Sequence, residues 1–384
     1  MAAVPVTPKV VRWAVERSGF SVDEIADAID VDASTVRAWF TGEKQPSLGE
    51  ARKLAKTLRR PLAFLLWPEP PADEPPHVAF RAPVASEMRD LNANEQRYIR
   101  QAVRLQEIVD HLRVESGKRP PAIPHASIRE APASAAASAR EWLGISVDTQ
   151  VAWGSEYEAL RQWRTRFERC GIHVFFFALG GDACRGITLS HEGVPVIVIN
   201  TAFNPYARIF TIFHELGHTL TRTTSACAAS LAVIDDAAER VERWCDQFAA
   251  AVLMPWSDVE KFLHERKLVG IVDDLGVAKA VSRRFKVSVP AAALRLINGG
   301  RATWRLWHAI PRDVNNKTSG GAPPDEPRTT PVIRLHELGE RLARELLDGI
   351  RSDLIERSQV ASYLRVDDNS LTEIEARVLR AAAG

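Results

Sequence analysis

Residues 211–220 read Thr-Ile-Phe-His-Glu-Leu-Gly-His-Thr-Leu, with two histidines four positions apart and a glutamate directly after the first. The stretch lies in a segment of helical periodicity that starts at Pro205. On a helix, positions i and i+4 share a face, with Cβ atoms about 5–6 Å apart. His214 and His218 can therefore ligate one ion, and Glu215 can face the ion's remaining position and take a proton from water there. A catalytic zinc site takes three protein ligands, so the fold has to bring the third from another element.

The segment Ala238–Pro255, AERVERWCDQFAAAVLMP, supplies candidates at Glu239, Glu242 and Asp246. Its apolar stripe is Val241, Trp244, Cys245, Phe248, Ala249 and Val252. Glu242 lies at the edge of that stripe, Asp246 about 40° and Glu239 about 60° further out. Glu242 is thus the expected third ligand, and Asp246 the expected partner of a ligating histidine ring. Gly217 costs a helix about 1 kcal/mol relative to alanine, which points to close approach of another element at that position. GIHVFFFAL and VPVIVIN read as buried strands, and the latter is expected to offer an edge to an extended substrate. RGITLSHEGVP joins them, with its own alternation and a turn at Glu192-Gly193. Tyr206 and His191 are the two residue types nearby that can steady an oxyanion.

Residues 8–67 read as a string of short helices. Ser21 with Glu24, and Ser47 with Glu50, form capping boxes, and Asp32 is a further N-cap. Two helices around Asp30-Val31-Asp32 make a helix-turn-helix, with Ile25, Ala26, Val31, Val36 and Trp39 as its small core. Ser34, Thr35, Arg37 and Ala38 then fall on or near the outward side, followed by Lys44 and Gln45 in a loop, and these six are the expected DNA contacts. Residues 1–67 hold ten Lys or Arg against eight Asp or Glu, so the module is expected to bind weakly alone and to gain from a homodimer.

The net charge of +1 excludes a global field towards DNA or an acidic membrane. No apolar run approaches the roughly 20 residues of a membrane span, and no secretory pattern opens the chain. Cys170, Cys184, Cys227 and Cys245 lack CxxC spacing, so reduced thiols in a cytoplasmic protein are expected rather than a disulfide framework. Two proline- or glycine-rich stretches, 68–76 and 315–327, read as linkers, with a long amphipathic helix at Leu91–Val114 between them and helices from Val332 to the end.

RIFTIFHELGHTL followed by ERWCDQFAAAVLMP resembles the ImmA/IrrE family of metallopeptidases, and residues 8–67 resemble the lambda-repressor-like (XRE) helix-turn-helix family. The first resemblance implies His214, His218 and Glu242 as metal ligands and Glu215 as catalytic base. It also implies a compact α+β zincin-type domain over about 150–300. Cys245 and Asp246 replace the family's usual Ala-Asn, which makes Asp246 a rival ligand. The segment VAFRAPVASEM, 78–88, resembles the bridge seen when both modules share a chain. The expected architecture is multidomain: an all-α helix-turn-helix domain at 1–67, a Pro-rich linker and helical bridge at 68–148, the zincin-like peptidase domain at 149–314, and a linker with a mainly helical tail at 315–384. The expected function is a zinc endopeptidase tethered to DNA that cleaves a bacterial or phage repressor or antitoxin, with Mn2+ or Fe2+ as alternative metals. Two alternatives stay open: a DNA-binding regulator or antitoxin whose metal domain is sensory or structural, and a protease whose first module binds protein.

Overall fold

The computed structural model describes residues 3–16, 18, 20–58, 60, 62–70, 92–189, 193–223, 236–311 and 329–383. The bridge segment 78–88, the linker 315–327 and most of the linker 68–76 lie outside them, as do His191 and Glu192. The chain divides into two compact units, Met1–Val78 with Arg89–Gln101, and Ala79–Met88 with Ala102–Gly384.

The first unit is all helical: α1 (Pro8–Glu16), α2 (Val22–Ile29), α3 (Ala33–Thr41), α4 (Leu48–Thr57) and a short 3-10 turn, Leu62–Leu66. Both capping boxes form. Glu24 N donates to Ser21 Oγ at 3.1 Å while Ser21 N donates to Glu24 Oε2 at 2.7 Å, and Ser47 and Glu50 repeat the exchange. Asp32 occupies the N-cap of α3 but makes no side-chain cap bond there, so that helix start rests on packing. The turn between α2 and α3 closes through Asp30 in the left-handed region, φ 64, and Val31 N donates to Ala26 O. Ile25, Ile29, Val36, Trp39, Leu54 and Leu65 fill the core.

The second unit is α+β and mostly helical. It starts within α5 (Ala93–Glu115) and continues through α6 (Pro132–Leu143), α7 (Val147–Ala152) and α8 (Glu156–Arg169). Three strands follow: β1 (His173–Phe177), β2 (Gly186–Leu189) and β3 (Val196–Asn200). Then come α9 (Pro205–Thr221), α10 (Asp236–Leu253), α11 (Trp256–Glu265), α12 (Leu275–Phe285), α13 (Val289–Asn298) and α14 (Trp304–His308). The tail forms α15 (Thr330–Leu338), α16 (Glu340–Arg351), α17 (Arg357–Leu364) and α18 (Asp368–Ala383).

The sheet order is β1-β3-β2, with β1 parallel and β2 antiparallel to β3. This corrects one expectation: VPVIVIN is the central strand, paired on both sides, and among the described residues β2 is the edge strand that carries Thr188 against Glu215. The alternation of the strands puts Val174, Phe176, Ile197 and Ile199 into one core with α6, α8, α9 and α10. Asn200, fully buried, accepts from Leu179 N and Ala202 N and donates to Gly180 O and Cys184 O, which ties the connection into β2 to the end of β3.

The tail is part of this unit. Arg164 of α8 donates to Val174 O of β1 and to the carbonyls of His336 and Glu337 at the end of α15, and it pairs with Glu168 at 2.9 Å. Gly339, φ 86, admits no side chain there, since a Cβ would lie 2.1 Å from Glu168 Oε1. On α16, Glu345 meets the buried His173 ring at 3.1 Å and Arg341 Nε at 2.8 Å. From α5, Gln106 Nε2 donates to Leu189 O and Val194 O, and Asp110 accepts from Val194 N.

Helices α9 and α10 touch where Gly217 faces Cys245, and a Cβ at 217 would lie 2.9 Å from Cys245 Sγ and 3.3 Å from its Cα. The close approach expected from the helical glycine is therefore present. Gly217→Ala is predicted to destabilise the protein in spite of alanine's better helix propensity, because overpacking costs about 1–3 kcal/mol. Adding Cys245→Ala should recover part of the loss, as read from urea midpoints of the single and double variants. A second prediction concerns pH. Burial pushes the Glu345 carboxyl up, but His173, then Arg341 and Lys118, hold it below its ordinary value. Such a group stabilises the fold above its unfolded pKa and loses that contribution as pH falls through the lower folded value. Glu345→Gln should lower the urea midpoint at neutral pH, and its difference from wild type should narrow below about pH 4.

Candidate metal centre

The centre is built on α9. Asn204 caps that helix through Ala207 N at 3.0 Å, and Pro205 supplies a preset first turn. Phe213 fixes its rotation: its ring meets Trp163 edge-on at 4.7 Å and Phe167 at 5.3 Å, both on α8. With Phe213 turned into that aromatic cluster, His214 and His218 face α10.

From α10, Glu242 reaches both rings. Its Oε2 lies 3.1 Å from His214 Nε2 and its Oε1 lies 3.3 Å from His218 Nε2, and the two Nε2 atoms are 3.2 Å apart. Both imidazoles are buried, and the Glu242 side chain is 32% exposed. Asp246 Oδ1 lies 2.9 Å from His214 Nδ1, and Thr223 Oγ1 lies 2.9 Å from His218 Nδ1. Glu239, the third acid considered on α10, turns to the exposed Arg243. Thus Asp246 sits behind a ring and Glu242 in front of both, as the stripe geometry of α10 implies.

The donor set fits a divalent cation. Bonds of about 2.0–2.2 Å at tetrahedral angles put donor atoms about 3.3 Å apart. The three separations here are 3.1, 3.2 and 3.3 Å. Burial pushes the Glu242 carboxyl up, but with protonated His214 and His218 rings against it, donating to it and carrying charge, the balance reverses to about 2. It is therefore a carboxylate at neutral pH. Cys245 is not among the residues whose donor atoms converge there; its Sγ faces Gly217, and burial pushes its thiol up.

Glu215 lies under β2. It is fully buried, and its Oε2 accepts from Thr188 Oγ1 at 2.6 Å. Gly186 on the same strand has no room for a side chain, since a Cβ would be 2.9 Å from Glu215 Oε1 and 2.5 Å from Thr211 Cγ2. Thr188 and Thr223 were not singled out from the sequence, because a lone threonine carries no spacing signal. Tyr206 is not brought to the centre. It sits eight residues before His214, about 12 Å along the helix, and its hydroxyl faces Glu156 at 3.5 Å. His191 lies outside the described residues.

In the first unit, Ser34, Arg37, Lys44 and Gln45 are exposed, and Thr35 and Ala38 half-buried. Arg37 lies 3.8 Å from Asp23 across exposed surface. Gln45, exposed, is also tied to the start of the chain, since its Oε1 accepts from Val6 N at 3.0 Å.

Family models match both units. Residues 167–296 match the IrrE N-terminal-like domain, a peptidase family, and residues 11–65 match a helix-turn-helix. No curated protein matches the chain. The chain therefore joins an XRE-like helix-turn-helix domain to an IrrE/ImmA-like domain of metallopeptidase type.

Proposed function

We propose that the protein is a cytoplasmic, DNA-binding regulator whose second unit is a zinc-dependent endopeptidase acting on a bacterial or phage repressor or antitoxin. The observation that carries this reading is the convergence of His214 Nε2, His218 Nε2 and Glu242 on one point, with Glu215 next in the chain after His214. Two imidazoles and one carboxylate favour zinc, with Mn2+ or Fe2+ as alternatives.

A divalent cation bound there would supply Lewis acidity and make nearby water more acidic. His214, His218 and Glu242 would hold it, and Asp246 orients the His214 ring. Glu215 takes the proton of the attacking water and passes it to the leaving amine. Thr188 orients the Glu215 carboxylate. An extended peptide pairs with the free edge of β2, the strand that runs over Glu215, and not with the central β3. Ser34, Thr35, Arg37, Ala38 and Lys44, with the amide of Gln45, contact DNA, and this raises the local concentration of a DNA-bound substrate. A homodimer strengthens that contact, because the first module carries only a small excess of positive charge.

One observation favours a second reading. Glu215 is fully enclosed, which suits a regulator whose metal centre senses or braces rather than cuts. Glu215→Gln separates the two. Under the first reading the variant keeps its zinc and loses cleavage of the repressor or antitoxin by several orders of magnitude. Under the second it keeps full regulatory effect. Metal content of the purified protein, by mass spectrometry, should fall from about one equivalent to near zero in His214→Ala and Glu242→Ala. In a mobility-shift titration of the full chain, Arg37→Ala should weaken DNA binding. Wild-type affinity should fall steeply with salt, because phosphate contacts release counterions. No DNA shift even at low salt would instead assign the first unit to protein recognition.

A further inference from the structure

Each ligating ring has a second nitrogen, and the group held there decides which tautomer the ring adopts. His214 Nδ1 faces Asp246, a carboxylate that only accepts. His218 Nδ1 faces a hydroxyl, Thr223 Oγ1, which can either donate or accept. The ambiguity is removed one step further on. Thr223 Oγ1 lies 2.8 Å from Thr221 Oγ1, and Thr221 Oγ1 lies 2.8 Å from the carbonyl oxygen of Gly217.

A carbonyl oxygen has no proton to give, so the Thr221 hydroxyl donates to Gly217. The single Thr221 proton is then used, and Thr221 accepts from Thr223. The Thr223 proton is used in turn, and Thr223 accepts from His218 Nδ1–H. The chain has one permitted direction, His218 to Thr223 to Thr221 to Gly217, and it leaves the Nε2 lone pair aimed at Glu242 and His214. We infer that Thr221 and Thr223 form a one-way hydrogen-bond relay that locks His218 in its Nδ1–H tautomer and so sets the metal affinity of the centre. This rests on the reading that His214, His218 and Glu242 hold a divalent cation.

The backbone is shaped for this contact. Helix α9 ends at Arg222 in the left-handed region, φ 53 and ψ 35, and Thr223 N donates back to His218 O at 3.0 Å. That reversal returns the Thr223 side chain to the ring one turn behind it. Straight continuation of the helix would carry residue 223 away from the ring of residue 218.

The test uses the full chain and zinc alone. Zinc affinity is measured by competition with a chromophoric chelator for wild type, Thr223→Val, Thr223→Ser and Thr221→Val. The relay predicts a loss of about 10–100-fold for Thr223→Val, a smaller loss for Thr221→Val, and affinity near wild type for Thr223→Ser, which keeps the hydroxyl. The ring itself is read by 15N spectroscopy of the metal-free protein at about pH 8.5, where imidazoles are ordinarily neutral. Wild-type His218 should show a protonated Nδ1 and a bare Nε2, and Thr223→Val should populate the other tautomer. A wild-type ring protonated at Nε2, or a Thr223→Val variant with undiminished zinc affinity, overturns the relay. If wild type binds no zinc while His218 still shows the Nδ1–H form, the metal reading fails and the relay stands. Should Thr223→Val not fold, the wild-type tautomer and the serine variant still decide.

Discussion

Three lone-pair donors, two imidazole nitrogens and a carboxylate, stand within 3.3 Å of one another on two helices. When both rings are neutral and protonated at the far nitrogen, none of the three has a proton to share and they repel. Something else must hold α9 against α10, and packing does so. Phe213 is gripped by Trp163 and Phe167, and Gly217 lets the backbone of α10 approach at Cys245. The rest of the second unit supports that crossing. Sheet and α8 lie behind α9, and α6, through Ala135, Ala136 and Ala139, lies in the same core as α10.

Much of this is legible in the sequence, and the reason is periodicity. The i, i+4 histidines, the position of Glu242 on the margin of an apolar stripe and the poor helix propensity of Gly217 are each local facts about a helix. What the sequence left open depends on long-range placement. GIHVFFFAL and VPVIVIN both read as buried strands, and nothing in either says which occupies the middle. A strand buried on both faces has no alternation to mark an edge. Thr223 reaches His218 only because Arg222, a residue with no particular leaning to left-handed backbone, turns the chain back. The tail reads as mainly helical, but what it packs against depends on Arg164 and Gly339. Tyr206 failed for a simpler reason: eight residues along a helix is too far.

The first unit obeys a different balance. Its helices are specified locally, by two capping boxes and a turn closed at Asp30. Its surface is less committed to nucleic acid than its fold is. Acidic side chains at Asp23, Asp27, Asp30 and Asp32 crowd the stretch before and into α3, and one of them lies near Arg37. Like charges facing a phosphate backbone oppose binding, so affinity here has to come from a few directed contacts and from avidity rather than from a positive field.

The two rings are supported unequally, and this has a thermodynamic consequence. His214 is backed by Asp246 on α10, whereas His218 is backed by hydroxyls on the end of its own helix. Separating α10 from α9 would remove the third ligand and the partner of His214 together, yet leave His218 oriented. The proposed ligand set is therefore complete only when the helices are packed, and a cation bound there would add its binding free energy to that packing. The same cation would relieve the repulsion among the three donors, so that occupancy and the α9–α10 contact would stabilise one another. A centre arranged in this way couples metal binding to the integrity of the fold, whether the domain cuts a peptide or reports on the metal.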